Sequence, residues 1–309
     1  MSLPFSSLTG VKRTLAVSVC LCIVLLFVCG SAIAIAERNA AGIGNGTGGG
    51  AKLQYTTIPV SSSDAFAKGS LLLVNHNYAV RVYPEDGNLL TIYGVNKHDS
   101  YKVRNSTLRL TSEALTAFNA MLDAYFAQTG DGTVMITSAY RTEKEQQALS
   151  STSTVAPGHS DHHLGLSVAL KCIDGATSDL DKDHWIYQHC HEYGFIQRYP
   201  AGKEESTGDT QSYLNCIRYV GVAHATYMKE NNLSLEEYVD LLKQYTYEGL
   251  HLQVKVGDAT YEIYYVAGNF STEEETAITT LNVPEDAEAY PYTYSGNNVD
   301  GFVVTIKVK

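Results

Sequence analysis

The sequence has 309 residues, of which 44% are hydrophobic and 18% are charged, and its formal net charge is −11. This length and hydrophobic share support a folded core, and they exclude an intrinsically disordered chain or a disulfide-stapled mini-protein. Because 22 Lys and Arg residues stand against 33 Asp and Glu residues, without a basic stripe, the composition argues against nucleic acid as a partner.

An uncharged segment near the N-terminus predicts a membrane anchor. Residues 14–36 carry no charge and follow two basic residues. About 20 apolar residues suffice to cross a bilayer, and the basic flank predicts that residues 1–13 are cytoplasmic and the remaining chain lies outside. The alternative is a signal peptide cleaved after Ala36, which fits the small-x-small pattern and would give a secreted protein.

Residues 37–54 are rich in glycine and predict a flexible linker. Three of the six cysteines lie in the uncharged segment, which leaves Cys172, Cys190 and Cys216 in the exported part. Three thiols allow at most one internal disulfide, so a disulfide framework is excluded. A bond from Cys216 to either of the other two stays open.

Short β-type runs open the exported part and predict strands at 71–75, 78–83 and 89–95. A helix is predicted at about 112–128, where Ser112 is the expected N-cap and apolar residues recur every three or four positions.

Three more helices follow along the chain. One is predicted at 142–150, and a second runs from Asp183 to a Gly194 cap. The third begins with a capping box at Ser234 and Glu237.

The last part of the chain changes character. Alternating apolar and polar residues at 251–256, 260–266 and 302–309 predict a β-rich segment over 250–309. Because helix and strand signals are segregated, we expect an α+β fold with a mostly antiparallel sheet and helices packed on it.

Three polar segments stand out between residues 138 and 221. They read Ser-Ala-Tyr-Arg at 138–141, Ser-Asp-His-His-Leu-Gly-Leu-Ser-Val-Ala at 160–169, and Arg-Tyr-Val-Gly at 218–221. In this order they resemble the motifs SGYR, SxHxxGxAxD and ExWHxRYVG of the VanY-type D-alanyl-D-alanine carboxypeptidases (peptidase family M15). The resemblance implies a peptidase domain of that fold at 55–249, with 250–309 as a C-terminal extension.

The resemblance also implies a zinc site and a general base. Three protein ligands leave the fourth position of zinc open for a water molecule whose pKa falls to about 7, and a carboxylate takes its proton. His162 matches the first ligand. The family's Asp ligand falls on Ala169, its second His ligand on Cys216, and its Glu base on Tyr213.

These departures predict that zinc chemistry is lost. Ala169 has no lone pair to donate, and Tyr213, with a phenol pKa near 10, is a poor base at neutral pH. His162 and Cys216 alone fall short of the usual three or four ligands. We therefore expect no metal cofactor and no intact catalytic residue, although zinc is the cofactor of the family.

The remaining motif positions predict substrate binding by Arg141, Ser160, His162 and Arg218. A guanidinium fork suits a peptide carboxylate. The alternative for Arg141 is an ion pair that ties two loops together.

The sequence thus predicts a membrane-anchored, extracytoplasmic VanY-like pseudoenzyme that binds a peptidoglycan stem peptide or a wall-associated protein. One alternative is an active zinc D,D-carboxypeptidase with a rearranged ligand set. Another is an adaptor that uses its acidic surface or its β-rich end to contact a partner.

Overall fold

The computed structural model describes residues 53–62, 65–95, 100–149, 155–172, 180, 183–208, 215–270 and 277–309. The segment predicted to be cytoplasmic (1–13), the predicted anchor or signal peptide (14–36) and almost all of the predicted linker (37–54) lie outside the described residues. Within the described part of the chain, no helix combines the length and the apolar character needed to cross a bilayer.

A mixed sheet carries the three motif segments. In the described residues its strands lie side by side in the order β3-β5-β6-β8-β7, and only β3 and β5 are parallel. The strands are β3 (Lys102–Val103), β5 (Val134–Ser138), β6 (Ser167–Cys172), β7 (Phe195–Gln197) and β8 (Cys216–Tyr219).

Helix α1 (Ser112–Thr129) confirms the helix predicted at 112–128. The predicted apolar stripe is Leu115, Phe118, Leu122 and Phe126; the helix buries the first three, and Phe126 near its end is only partly buried. The N-cap is Thr111 rather than Ser112, and the helix ends at Gly130, which has a φ of 71°. A left-handed conformation costs glycine little, so this residue stops the helix cleanly.

Two capping boxes begin the helices that the sequence predicted there. Thr142 and Glu145 cap the helix after the first motif, and Ser234 and Glu237 cap the helix near residue 240. The predicted helix after Asp183 is split into a short α-helix and a 3-10 turn at Cys190–Tyr193 that ends at Gly194. These helices are α2 (Glu143–Ala148), α3 (Trp185–His189), α4 (Glu204–Thr207), α5 (Val222–Asn231) and α6 (Leu235–Leu242).

The β-rich C-terminal part forms an antiparallel sheet in the order β12-β13-β10-β9. Its strands and the outlying pairs β1–β11 and β2–β4 confirm the α+β class with mostly antiparallel pairing. They are β1 (Tyr55–Ser61), β2 (Leu89–Thr91), β4 (Arg109–Thr111), β9 (Leu252–Val256), β10 (Ala259–Ala267), β11 (Ile278–Pro284), β12 (Tyr292–Gly296) and β13 (Gly301–Lys307).

The C-terminal sheet shares a hydrophobic core with helices α5 and α6. Leu252, Ile263 and Val303 of the sheet pack with Met228 and Leu242 of the helices. Residues 53–309 form one compact unit. The segment 250–309 is therefore packed against the domain that carries the motifs.

The strand predictions at 71–75 and 78–83 were wrong, and that at 89–95 holds only for β2. Leu72 and Val74 point into the core under α1, whereas Leu71 and Leu73 point into the core shared with the C-terminal sheet. Because the segment 71–75 is buried on both sides, its residues form an apolar run of the kind that is typical of a buried strand. The backbone of this segment is hydrogen-bonded to buried side chains and to a loop, and not to a neighbouring strand.

Candidate functional site

A cavity of about 190 Å³ opens where the three motif segments meet. We call it the motif pocket. Five residues that the motif positions singled out lie together in its lining: Arg141, Ser160, His162, Ala169 and Cys216.

The register of the mixed sheet produces this meeting. Ser138 on β5 pairs with Ala169 on β6, and Ala169 pairs with Cys216 on β8. Residues directly opposite on neighbouring strands share a face of the sheet and lie about 5 Å apart. Positions 169 and 216, far apart in sequence, are therefore side by side in the pocket.

His162 is held by the backbone in one tautomer. It lies in a 3-10 turn, Asp161–Leu164, whose N-cap Ser160 accepts a hydrogen bond from the His162 amide. The ring nitrogen Nδ1 is 2.7 Å from the carbonyl oxygen of Ala139. A carbonyl only accepts, so Nδ1 carries the proton and Nε2 keeps its lone pair.

The imidazole of His162 is neutral at physiological pH. Burial, reinforced by the nearby guanidinium of Arg141, lowers the pKa of His162 to about 3. A neutral imidazole with a free lone pair is a hydrogen-bond acceptor and a metal ligand.

The neighbouring His163 has a different role. Its Nδ1 donates to the carbonyl of Arg141 at 2.6 Å, and its Nε2 accepts from the amide of Gly158 at 3.1 Å. The side chain is fully buried. With both ring nitrogens engaged, His163 braces the loops beside the pocket.

Arg141 offers a cation to the pocket. Its guanidinium donates to the Gln146 side-chain oxygen at 2.7 Å and to the Ser138 hydroxyl at 3.0 Å. Both partners are neutral, and within the described ranges Arg141 forms no ion pair with a carboxylate. Burial lowers its pKa, although a guanidinium stays charged at any physiological pH. The predicted alternative of an ion pair between loops is therefore not observed in the described residues.

The side chains of the pocket do not fit the zinc set that the motifs imply. Ala169 offers no donor atom. Burial, with a smaller contribution from the Asp161 carboxylate, raises the pKa of the Cys216 thiol to about 12. His162 and Cys216 together are fewer than the three or four protein ligands that zinc usually has. Among the described residues, no three His, Cys, Asp or Glu side chains form a metal-binding group. Tyr213, the predicted base position, lies outside the described residues.

Behind the pocket lies a buried ion cluster of Asp161, Arg198, Arg218 and Glu236. Asp161 bonds to Arg198 at 2.6 Å and to Arg218, and Arg198 also bonds to Glu236 at 2.8 Å. Burial alone would raise the pKa of Asp161, but the two guanidinium groups outweigh it and hold that pKa below its usual value. Two cations and two anions thus balance in the interior.

Arg218 does not line the pocket, contrary to the substrate-binding role predicted for it. Its side chain has 0% exposure, and besides Asp161 it bonds to the carbonyl oxygens of Ser70 and Leu72 at 3.0 and 3.1 Å. These bonds hold the segment 71–75 in place. The arginine of the third motif, Arg218, therefore stabilises the domain from inside.

Sequence reasoning missed several polar residues at this site. Arg198 and Tyr199 lie outside the three motif segments, and Tyr199 lines the pocket with its ring 4.2 Å from the Arg198 guanidinium. Tyr199 has a φ of 66°, a conformation that is rare for a bulky residue. An arginine inside an apolar run was the available signal, because a buried charge requires a partner.

The three described cysteines, Cys172, Cys190 and Cys216, are free thiols. The structure therefore contains no disulfide between Cys216 and either Cys172 or Cys190, the two pairings that the sequence had left undecided. Cys216 packs as a small buried side chain in the wall of the pocket.

Comparison with known proteins supports the family resemblance that the three motif segments indicated. Residues 107–222 match the family VanY, D-alanyl-D-alanine carboxypeptidase. A D-alanyl-D-alanine carboxypeptidase of Enterococcus faecium is 33% identical over 247 residues, which cover 77% of this chain and 75% of that protein. The bifunctional D-Ala-D-Ala dipeptidase and carboxypeptidase VanXYC of Enterococcus gallinarum is 29% identical over 57% of this chain and 96% of its own.

A solved structure extends the similarity to three dimensions. The vancomycin resistance D,D-dipeptidase VanXYg, in complex with a D-Ala-D-Ala phosphinate analog, aligns with a TM-score of 0.68 and 29% identity. The alignment covers 82% of this chain and 99% of that one. The similarity therefore includes elements well outside the three motifs.

Proposed function

The chain belongs to the VanY family of D-alanyl-D-alanine carboxypeptidases, and we propose that it is a non-hydrolytic member that binds the D-Ala-D-Ala end of a peptidoglycan stem peptide. The ligand lies in the motif pocket, with its terminal carboxylate on Arg141. The peptide is held there without being cut.

The donor set of the pocket is the observation that carries this proposal. Of the three positions that align with the family's zinc ligands, only His162 keeps the family's side chain. Ala169 has no donor atom, so His162 and Cys216 would be the only two ligands from these positions, fewer than the three or four that zinc usually has. The family's route to hydrolysis uses a metal ion to polarise the peptide carbonyl and to activate water, and these two positions do not supply the ligands for it.

The groups that bind a peptide end are retained. The Arg141 guanidinium is partly buried, and its protein partners are neutral oxygens. A partly desolvated cation without an anion favours an anionic ligand, and a carboxylate matches the planar fork. The related VanXYg was solved with a D-Ala-D-Ala analog, which supports this class of ligand.

We place this binding outside the cell membrane. Residues 14–36 anchor the chain, residues 1–13 are cytoplasmic, and the 37–54 linker lets the domain reach the cell wall. Glycan strands with their stem peptides are on that side of the membrane. A signal peptide cleaved after Ala36 would leave the same pocket in a secreted protein.

The test measures binding and cleavage on the same purified chain. Calorimetry with N-acetyl-D-Ala-D-Ala is expected to give saturable binding, and an assay for free D-alanine, with and without added zinc, is expected to give none. Zinc-dependent release of D-alanine would overturn the proposal in favour of an active enzyme with a rearranged ligand set. Absence of binding would overturn it in favour of an adaptor that does not use the pocket.

A further inference from the structure

The imidazole of His162 has one ring nitrogen that the protein does not use. Nδ1 donates to the Ala139 carbonyl, and the Arg141 amide donates to the carbonyl of His162 at 3.1 Å, so the residue is clamped against the segment 139–141. Among the described residues, Nε2 has no hydrogen-bond partner, and the side chain is partly exposed in the lining of the motif pocket. The pocket therefore contains an oriented acceptor.

The adjacent His163 shows that this free nitrogen is specific to one ring. Both nitrogens of His163 are bonded to backbone groups, and its side chain is inaccessible. The same 3-10 turn thus presents one histidine that is fully satisfied and one that offers a lone pair to a ligand.

Beside this acceptor lies a strong donor. Arg141 and His162 line the same cavity, and the backbone hydrogen bond from the Arg141 amide to the His162 carbonyl holds the two residues next to each other. A ligand that satisfies both must carry an anionic acceptor and a hydrogen-bond donor a few atoms apart.

The C-terminal residue of an acylated peptide has this arrangement. Its carboxylate and its amide N–H are attached to the same Cα atom. The cavity of about 190 Å³ is smaller than the 300 to 1,000 Å³ typical of drug-sized ligands, so it suits one terminal residue rather than a long peptide. Ala169 leaves apolar space for a small side chain.

We propose that His162 Nε2 accepts a hydrogen bond from the amide N–H of the ligand's terminal residue, while Arg141 holds its carboxylate. This inference rests on the proposed function. An imidazole that aligns with a zinc ligand thereby becomes a recognition group, and the pocket selects an amide over an ester at that bond.

The experiment compares two ligands that differ at one atom. N-acetyl-D-Ala-D-Ala has the N–H, whereas its ester analogue has an oxygen in that position and presents a lone pair to Nε2. We expect the full chain to bind the ester about tenfold more weakly by calorimetry, because one hydrogen bond is lost and two acceptors face each other.

The variant His162→Asn is the matched control. Asparagine retains a donor for the Ala139 carbonyl close to the position of Nδ1, but it has no acceptor where Nε2 lies. We expect it to bind the amide and the ester with equal affinity, between the two affinities of the unmodified chain, because both the hydrogen bond and the repulsion between acceptors are then absent.

Each outcome decides between the two proposals. Equal binding of both ligands by the unmodified chain overturns the role of His162 and leaves the proposed function standing, and this result does not depend on any variant. A preference for the amide that persists in His162→Asn also overturns it, because another group is then the acceptor. Failure of both ligands to bind overturns the proposed function itself.

Discussion

The motif pocket and the buried ion cluster behind it share one wall but treat charge in opposite ways. In the cluster, the two guanidinium groups of Arg198 and Arg218 face the two carboxylates of Asp161 and Glu236, and all four side chains are almost completely buried. In the pocket, the Arg141 guanidinium is bonded to neutral side chains, and it has no ion pair with a carboxylate in the described part of the chain. The charges of the cluster are therefore paired with one another, whereas the charge of Arg141 is not paired within these residues.

Under the proposed function, this difference explains how the scaffold is kept while the family's chemistry is not. Removing one charge of the cluster leaves its partner buried and uncompensated, so the whole fold is affected. Exchanging a zinc ligand for Ala169 or Cys216 leaves a small apolar group in the wall, which the structure accommodates. Stability therefore constrains the cluster more strongly than it constrains the metal positions.

The largest expected change tests whether the family's ligand types at positions 169 and 216 are sufficient for zinc binding. The double variant Ala169→Asp with Cys216→His restores the ligand types of the family next to His162. We expect the purified protein to retain about one zinc ion per chain after dialysis, as measured by elemental analysis, because three ligands then surround one site.

The single variant Cys216→His is the control and is expected to retain much less zinc. If the double variant binds no more zinc than the unmodified chain, the geometry of the pocket has changed beyond these two side chains, and the contrast between a retained scaffold and a dismantled site is wrong.

The next prediction concerns the buried ion cluster. Asp161→Asn removes the carboxylate between two guanidinium groups, and we expect the free energy of unfolding to fall by about 3 to 5 kcal/mol, the range found for broken buried pairs. Urea denaturation measures the loss.

Arg141→Gln is the matched control for the cluster, because it removes a charge from the pocket side. We expect it to lose less stability than Asp161→Asn, because Arg141 is partly exposed and its removal leaves neutral partners rather than a buried charge without a counter-ion. Equal losses for the two variants would remove the distinction between the regions.

Arg141→Gln also tests the role of the motif pocket through its effect on ligand affinity. Hydrogen bonds to charged groups contribute about 1.5 to 3 kcal/mol, so we expect affinity for N-acetyl-D-Ala-D-Ala to fall roughly 10- to 150-fold. Calorimetry measures the change, and Arg141→Lys, which keeps the charge but not the fork, is expected to lie between. Unchanged affinity would show that the carboxylate binds elsewhere.

A second neutral histidine, which lies in the core, gives an effect that is smaller per pH unit and accumulates as the pH falls. His224 bonds to the Tyr238 hydroxyl at 2.8 Å and the Thr305 hydroxyl at 3.0 Å, and burial lowers its pKa to about 3. Below pH 6.5 the unfolded chain binds a proton that the folded chain does not. The free energy of unfolding therefore falls by about 1.4 kcal/mol per pH unit as the pH drops from 6.5 towards 3.

Urea denaturation of the unmodified chain and of His224→Gln at several pH values checks this slope. Other titrating groups are common to both proteins, so their contributions cancel in the difference. The two curves are expected to run parallel above pH 6.5 and to diverge below it. Parallel curves throughout would mean that His224 is protonated in the folded chain.

Local signals in the sequence determined much of this protein. The spacing of Leu115, Phe118 and Leu122 predicted helix α1, and the capping box at Ser234 predicted the start of helix α6. Both depend on residues within a few positions of one another, where propensity and hydrogen bonding are local. The resemblance of the motif segments to the VanY family, rather than a local signal, implied that Arg141, Ser160 and His162 share a site with positions 169 and 216.

Only the tertiary structure decided which partners Asp161 and Arg218 have and which conformation the segment 71–75 adopts. Asp161 meets partners 37 and 57 residues away, and no local pattern shows that Arg218 faces inward rather than towards a ligand. The apolar run at 71–75 matches a strand, yet it lies between two cores and bonds to buried arginine side chains. Burial and backbone hydrogen bonding there depend on chain segments that meet only in the folded state, so sequence spacing carries no record of them.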